Sequence, residues 1–413
     1  MDGTVSTVPG AQAGGWPQRL RRRAPALFLT LVFWLAAELL ACVLLPMVVP
    51  QHVALSWYVG AEARETTERF LADGHPFLVY DPLTGWRSRP GSGKDHWWID
   101  SLGSRSTHPL GLQRSRPRRL LFLGNSMTNG GFDVTGLETI PAYSEDSLTE
   151  AGNFATMLYS LDQMVLAYES GLHRFGGDVV VVGLLTKPDE GLTNRYVPFR
   201  ARRLLMPYFK PRFVREADSL RLVPVPSLER WRSLFTSPAP LEALSRDEGF
   251  LGEFESYRRF GLMPLSAGLR QVCLRAENLA RRMTVDEEDM PLASRLMREL
   301  VAGAARHHAR AVFMMLPYRL DAFPPTWRRL LPDHYGQALA GLRRQGFVVL
   351  DGRAQLRASG LPPAKLYLPD KMHYRPAANR AIAAGLRRLL ADEVWPATAP
   401  RLTPTTPARA RTR

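Results

Sequence analysis

The stretch LLFLGNSMTNGG, Leu120–Gly131, decides how this chain is read. Four apolar residues lead into a glycine, an asparagine and Ser126, and more small polar residues follow. Extended backward to RRLLFLG (118–124), the run has the unbroken apolar character of a parallel strand covered on both faces. DVVVVGLL (178–185), AVFMMLP (311–317) and FVVLDG (347–352) share that character. Helical periodicity alternates with them over 155–175, 292–308, 335–344 and 377–390. The alternation predicts an α/β fold, a three-layer sandwich around a mostly parallel central sheet. Ligands bind at the carboxyl ends of such strands, which is where Ser126 would stand, with Gly124 and NGG giving the backbone freedom to turn. On its own, a serine in this setting is more often a turn or helix-cap residue than a nucleophile.

With 413 residues, 45% hydrophobic and 23% charged, the chain has enough apolar content for an ordinary core. Its net charge of +15 comes almost wholly from arginine scattered along the chain. No zinc, helix-turn-helix or RNP-type pattern accompanies that charge, so no nucleic-acid partner is expected, and anionic lipid or an acidic polymer fits at least as well. Cys42 and Cys273 cannot make a disulfide framework.

The run QRLRRRAPALFLTLVFWLAAELLACVLLPMVVP carries the compartment signal. From Ala24 to Pro50 only Glu38 is charged, a length sufficient to cross a bilayer core. Arg19, Arg21, Arg22 and Arg23 precede it, which by the positive-inside rule leaves the N-terminus cytoplasmic and the main domain extracytoplasmic. A cleaved signal peptide shares these features, but the run is long for one and lacks a small-residue cleavage site. The expected organisation is a basic cytoplasmic segment (1–24), a single-pass membrane anchor (25–49), an extracytoplasmic lead-in (50–115), an α/β domain (116–395) and a disordered tail (396–413). Within the α/β domain an insertion over about 188–290 is expected to form a lid or one side of a cleft.

A second motif, YLPDKMHYRPAANRAIAAGLRRLL, holds Asp370 and His373 three residues apart, in a loop that runs into a helix with Pro376 in its first turn. A serine hydroxyl needs a base to take its proton, and the base needs a group to hold its tautomer. Taken together, the two motifs resemble the SGNH (GDSL-like) hydrolase family. That family presents its nucleophile in a G-D-S or G-N-S block after the first strand and a D-x-x-H block near the C-terminus. The match is at Gly124, Asn125, Ser126, Asp370 and His373, and YDPLTGWRSRP (80–90) with IDSLGSRS (99–106) resembles the lead-in of membrane-anchored members.

The resemblance implies a serine esterase or O-acyltransferase that acts on acylated carbohydrate or another small ester, with no metal or cofactor. Ser126 would be its nucleophile, His373 its base and Asp370 the orienting acid. The oxyanion blocks depart from the family. No glycine stands in NFATMLYSLDQ, and Lys187 and Pro188 occupy the expected Asn and Asp positions. The donors could be the backbone N–H groups of Ser126 and of a residue near Leu158, with Lys187 or Asn194 replacing the missing side chain. Alternatively the blocks align a few residues away, or the domain is catalytically impaired and only binds polysaccharide or scaffolds an envelope assembly. Asn125, Asn129 and Asn153 are candidate substrate contacts, as are Trp97 and Trp98, although clustered aromatics more often plug a small core. Neither His307 and His308 nor the adjacent acids Asp189 and Glu190 have a pattern that points to a site.

Overall fold

The computed structural model describes residues 25–40, 61–94, 97–186, 191–200, 208–217, 219–236, 243, 248 and 290–395. The chain divides into two compact units, one of residues 1–55 with 253–280 and the other of 56–252 with 281–413. In the first, the described residues are the helix α1 over 25–40, on which Leu27, Phe28, Phe33, Trp34, Leu39 and Leu40 are all exposed. No helix among the described residues is long and apolar enough to cross a membrane. Residues 41–49 of the expected anchor lie outside the described residues.

The second unit opens with α2 (Ala61–Asp73) and two small antiparallel pairs, β1 (Leu78–Asp81) with β2 (Gly85–Ser88) and β3 (Gly93–Lys94) with β4 (Trp97–Trp98). The central sheet follows. β5 (Arg118–Leu123) leads through α3 (Ser126–Asn129) and α4 (Ile140–Ser144) to β6 (Thr149–Asn153), and α5 (Leu161–Ser170) returns to β7 (Val179–Leu185). The hairpin β8 (Arg212–Glu216) and β9 (Ser219–Val223) and the helix α6 (Leu228–Thr236) are the described core of the expected insertion. Beyond it come α7 (Met290–Arg306), β10 (Arg310–Leu316), α8 (Arg319–Ala322), α9 (His334–Arg344), β11 (Val349–Asp351), α10 (Gly352–Ala358) and α11 (Pro376–Leu389).

The five strands lie in the order β11-β10-β7-β5-β6 and every neighbouring pair is parallel. Counted from β5, this is the 2-1-3-4-5 doubly wound order, whose crevice opens at the carboxyl ends of the first and third strands. Ser126 follows β5, the first. Leu120, Phe122, Val179, Val181, Val312 and Met314 pack with Ile382, Ala383 and Leu386 of α11. The alternate residues Leu121, Val180, Val182, Phe313 and Met315 are equally buried, while α7 packs on β10 and α5. Burial on both faces explains why these strands read as unbroken apolar runs.

The expected strands and helices all form, to within a few residues at their ends, except that the helix expected over 155–175 is α5 followed by a short 3-10 turn, Leu172–Phe175. β6 was not expected. Its sequence, TEAGN, is polar and glycine-containing, yet all five residues are buried. Glu150 of β6 is matched by the fully buried Arg119 of β5 at 2.7 Å, and a buried pair of this kind makes a polar strand tolerable at the sheet edge. Gly124 also differs in role. A Cβ there, or on Gly183 of β7, would collide with Thr128, so both glycines serve close packing under α3 rather than a special backbone angle.

Candidate active site

Asn125 leaves β5 with extended backbone angles and caps α3, its Oδ1 accepting from Met127 N at 3.0 Å. That cap makes the half-buried Ser126 the first helical residue, where a backbone N–H has no intrahelical acceptor. The hydroxyl of Ser126 is 2.8 Å from His373 Nε2, although the two residues are 247 positions apart. His373 Nδ1 donates to Asp370 Oδ2 at 2.5 Å, which sets the tautomer and leaves Nε2 free to accept from Ser126. The other carboxylate oxygen, Oδ1, accepts from Met372 N at 2.9 Å and His373 N at 3.0 Å. Burial pushes the Asp370 carboxyl up, but these hydrogen bonds and the adjacent imidazole outweigh it and hold the group below its usual range. Asp370 therefore stays ionised and can steady an imidazolium.

The loop that carries this pair is a tight hairpin. Tyr367 and Tyr374 bridge its base, and both hydroxyls donate to the Pro317 carbonyl, at 3.0 and 2.9 Å. Burial raises both phenols, so they remain donors. Leu368 N donates to His373 O at 2.9 Å and Lys371 N to Leu368 O at 3.0 Å, with Lys371 in the left-handed region at φ 62°. Strain of this kind is tolerated where surrounding contacts over-determine the backbone.

Behind the imidazole lies Gly131, at φ 64°, on which a Cβ would sit 3.4 Å from His373 Cδ2. This glycine belongs to a loop tied down by Arg105. The buried guanidinium donates to Asn129 O at 2.9 Å, Asn129 Oδ1 at 3.1 Å, Gly131 O at 2.5 Å and Val134 O at 2.6 Å. Trp97 Nε1 donates to the same Gly131 carbonyl at 2.8 Å, and the Trp97 ring lies 5.1 Å from the Arg105 guanidinium. Burial lowers Arg105 to about 9, which leaves it cationic at neutral pH. Neither Arg105 nor Gly131 is legible as a site residue in the sequence, because their partners are carbonyls and a ring edge supplied by other segments.

The β6–α5 loop, in which the resemblance placed an oxyanion donor, is fastened to the end of β5. Thr156 N donates to Gly124 O at 3.0 Å and Trp86 Nε1 to Met157 O at 2.9 Å, which fastens this loop beside the segment that carries Ser126. Leu158 follows, at φ 64°. It stands in the block where the resemblance called for a glycine and adopts the conformation that favours one, a departure worth about 1–2 kcal/mol for an L-residue.

Several expected substrate contacts are instead internal. Asn129 Nδ2 donates to Ala155 O at 2.7 Å, and Asn153 Nδ2 to Asn129 O at 3.3 Å, while Asn125 is the helix cap. Trp97 is buried against Phe77 and Phe132 and belongs to a small aromatic core, whereas Trp98 is 37% exposed. Asn194, an expected oxyanion donor, is buried and donates to the Glu248 carboxylate at 3.3 Å. Lys187, Pro188, Asp189 and Glu190 lie outside the described residues. His307 stacks on His173 at 4.0 Å, away from the triad's contacts.

No family model matches the chain, and no curated protein matches it in sequence. Among solved structures, a catalytic mutant of Axe2, an acetylxylan esterase from Geobacillus stearothermophilus, aligns over 67% of this chain and 95% of its own, with 12% identity and a TM-score of 0.36. LAE5, an alpha/beta hydrolase enzyme from the metagenome of Lake Arreo, Spain, aligns over 68% and 97%, with 12% identity and a TM-score of 0.34. A member of the lipolytic protein G-D-S-L family from Veillonella parvula aligns over 67% and 99%, with 9% identity and a TM-score of 0.33. Likenesses this distant leave the geometry of Ser126, His373 and Asp370 to carry the functional reading.

Proposed function

We propose that this chain is an SGNH-type serine esterase or O-acyltransferase acting on acyl esters of carbohydrate. One observation carries the reading: Ser126 Oγ, His373 and Asp370 form a continuous hydrogen-bonded relay, at 2.8 and 2.5 Å, at the carboxyl ends of a doubly wound sheet. In the first step Ser126 Oγ attacks the acyl carbonyl carbon while its proton passes to His373 Nε2. The carbonyl oxygen becomes an oxyanion, held by the N–H groups of Ser126 and Leu158, each such donor being worth about 3 to 4 kcal/mol. Collapse breaks the ester C–O bond, and His373 returns the proton to the departing alcohol. A second nucleophile then repeats the sequence on the acyl-enzyme: water makes the enzyme an esterase, a sugar hydroxyl a transferase. Throughout, Asp370 holds His373 Nδ1–H and balances the imidazolium.

The same reading places the domain outside the cytoplasmic membrane on an anchor over 25–49. The basic cluster before the run supports it, as does a helix over 25–40 whose large apolar residues are exposed all round.

A fluorophosphonate probe and p-nitrophenyl acetate test the chemistry. The expected result is labelling and hydrolysis that both disappear in Ser126→Ala. Failure of the unaltered chain to react with either compound overturns the enzyme reading in favour of a binding module.

A further inference from the structure

We infer that the cleft beside the catalytic loop is a binding subsite for a carboxylate-bearing sugar, so that the ester substrate is an acidic carbohydrate. The cleft has a volume of about 740 Å³ and is lined by Phe323, Pro324 and Leu361 together with Arg328, Arg353 and Arg357. The volume falls in the range of small-ligand sites, and the lining is divided between apolar and ionisable side chains. Its charges do not cancel. Arg328 pairs with Asp321 at 3.1 Å and Arg353 with Asp333 at 2.7 Å. Arg357 donates Nε to the Ala322 carbonyl at 2.8 Å and, among the described residues, has no carboxylate within ion-pair distance. Among the described lining residues three guanidinium groups thus face two carboxylates, Asp333, which burial pushes up, being held below its usual range by both Arg353 and Arg357, and the terminal nitrogens of Arg357 form a planar fork suited to a carboxylate. Phe323, which also packs on the core and edge-to-face with Tyr367, and Pro324 give the cleft an apolar wall.

The cleft is mechanically joined to the triad. Its wall α8 begins at Arg319, whose N–H donates at 3.2 Å to the carbonyl of Lys371, between Asp370 and His373. Asp321, in the same helix, accepts at 2.8 Å from the hydroxyl of Thr186, the residue that follows β7. A sugar held there is thus registered against both the catalytic loop and the crevice strand.

The inference rests on the esterase reading for the role of the bound sugar, and its test separates binding from turnover. Tetragalacturonate and its fully methyl-esterified counterpart, which has the same rings without charge, are titrated calorimetrically into the full chain carrying Ser126→Ala. The acid is expected to bind at least tenfold tighter than the ester. Arg357→Glu, added to that chain, is expected to weaken acid binding at least tenfold and leave ester binding unchanged, and Arg357→Gln to give an intermediate loss. Equal binding of acid and ester, no binding of either, or acid binding unaffected by both substitutions overturns the inference. Acid-selective binding by a chain that, with Ser126 intact, reacts with neither the fluorophosphonate probe nor p-nitrophenyl acetate overturns the esterase reading and leaves the subsite standing.

Discussion

Asp370→Asn separates the two jobs of one carboxylate. Oδ1 accepts the backbone N–H groups of Met372 and His373, while Oδ2 alone faces His373 Nδ1. Asparagine keeps Oδ1 and hence the hairpin, but it replaces Oδ2 with an NH2 group. A donor then faces Nδ1, the imidazole proton moves to Nε2, and Nε2 can no longer accept from Ser126. The same exchange in a fully buried triad costs about 10⁴-fold in kcat. The Asp370 side chain is 43% exposed, so water screens part of the interaction. The expected loss is about 10²–10³-fold in kcat, roughly 3–4 kcal/mol at 1.36 kcal/mol per decade, with KM unchanged. Steady-state hydrolysis of p-nitrophenyl acetate and a urea unfolding curve measure the two effects, and unfolding stability is expected to stay within about 1 kcal/mol of the unaltered chain. A kcat within fivefold of the unaltered enzyme, in a variant that unfolds normally, refutes the orienting role of Asp370.

Gly131→Ala introduces a Cβ at 3.4 Å from the imidazole and at φ 64°, so a stability loss of about 1–2 kcal/mol together with a lower kcat is expected from unfolding and kinetic measurements. Arg105→Met leaves the Val134 carbonyl and one side of Gly131 without their donor, and kcat is expected to fall at constant KM, with Arg105→Lys recovering part of it. If Leu158 contributes its backbone N–H and not its side chain, Leu158→Gly keeps kcat while relieving the left-handed backbone by about 1 kcal/mol in a urea unfolding curve; a tenfold or greater fall in kcat contradicts this role. Stability should also respond to pH with two opposite slopes. Burial pushes Glu150 up, but hydrogen bonds from Ser115 and Arg119 hold it below 4.5, so its contribution is present above that pH and lost as pH falls. Burial raises Glu248 to about 7 despite hydrogen bonds from Arg195, Tyr196 and Asn194, so its contribution is full below 4.5 and lost as pH rises to about 7. Melting temperatures across pH 3 to 8 check both, and Glu248→Gln is expected to flatten the upper slope.

The residues themselves determined four of the five strands and the pairing of Asp370 with His373. Parallel strands buried on both faces leave no polar alternation, which is why RRLLFL, VVVVGLL and RAVFMML are visible as strands without further information. Asp370 and His373 share one short loop, so their pairing follows from a spacing of three. Tertiary structure decided what depends on contacts between distant segments. TEAGN is a strand because Arg119 of the neighbouring strand matches Glu150, and no local propensity records that partner. The five asparagine and tryptophan side chains that local composition offered to a substrate divide by packing alone: Asn125, Asn129, Asn153 and Trp97 turn inward and Trp98 stays exposed. Arg105 and Gly131 support His373 through carbonyls and close approach, which leave no pattern in a sequence. Ser126 and His373 meet across 247 residues because β5 is the first strand of the doubly wound sheet and the hairpin after the last strand returns to its carboxyl end, a proximity set by strand order and not by either motif.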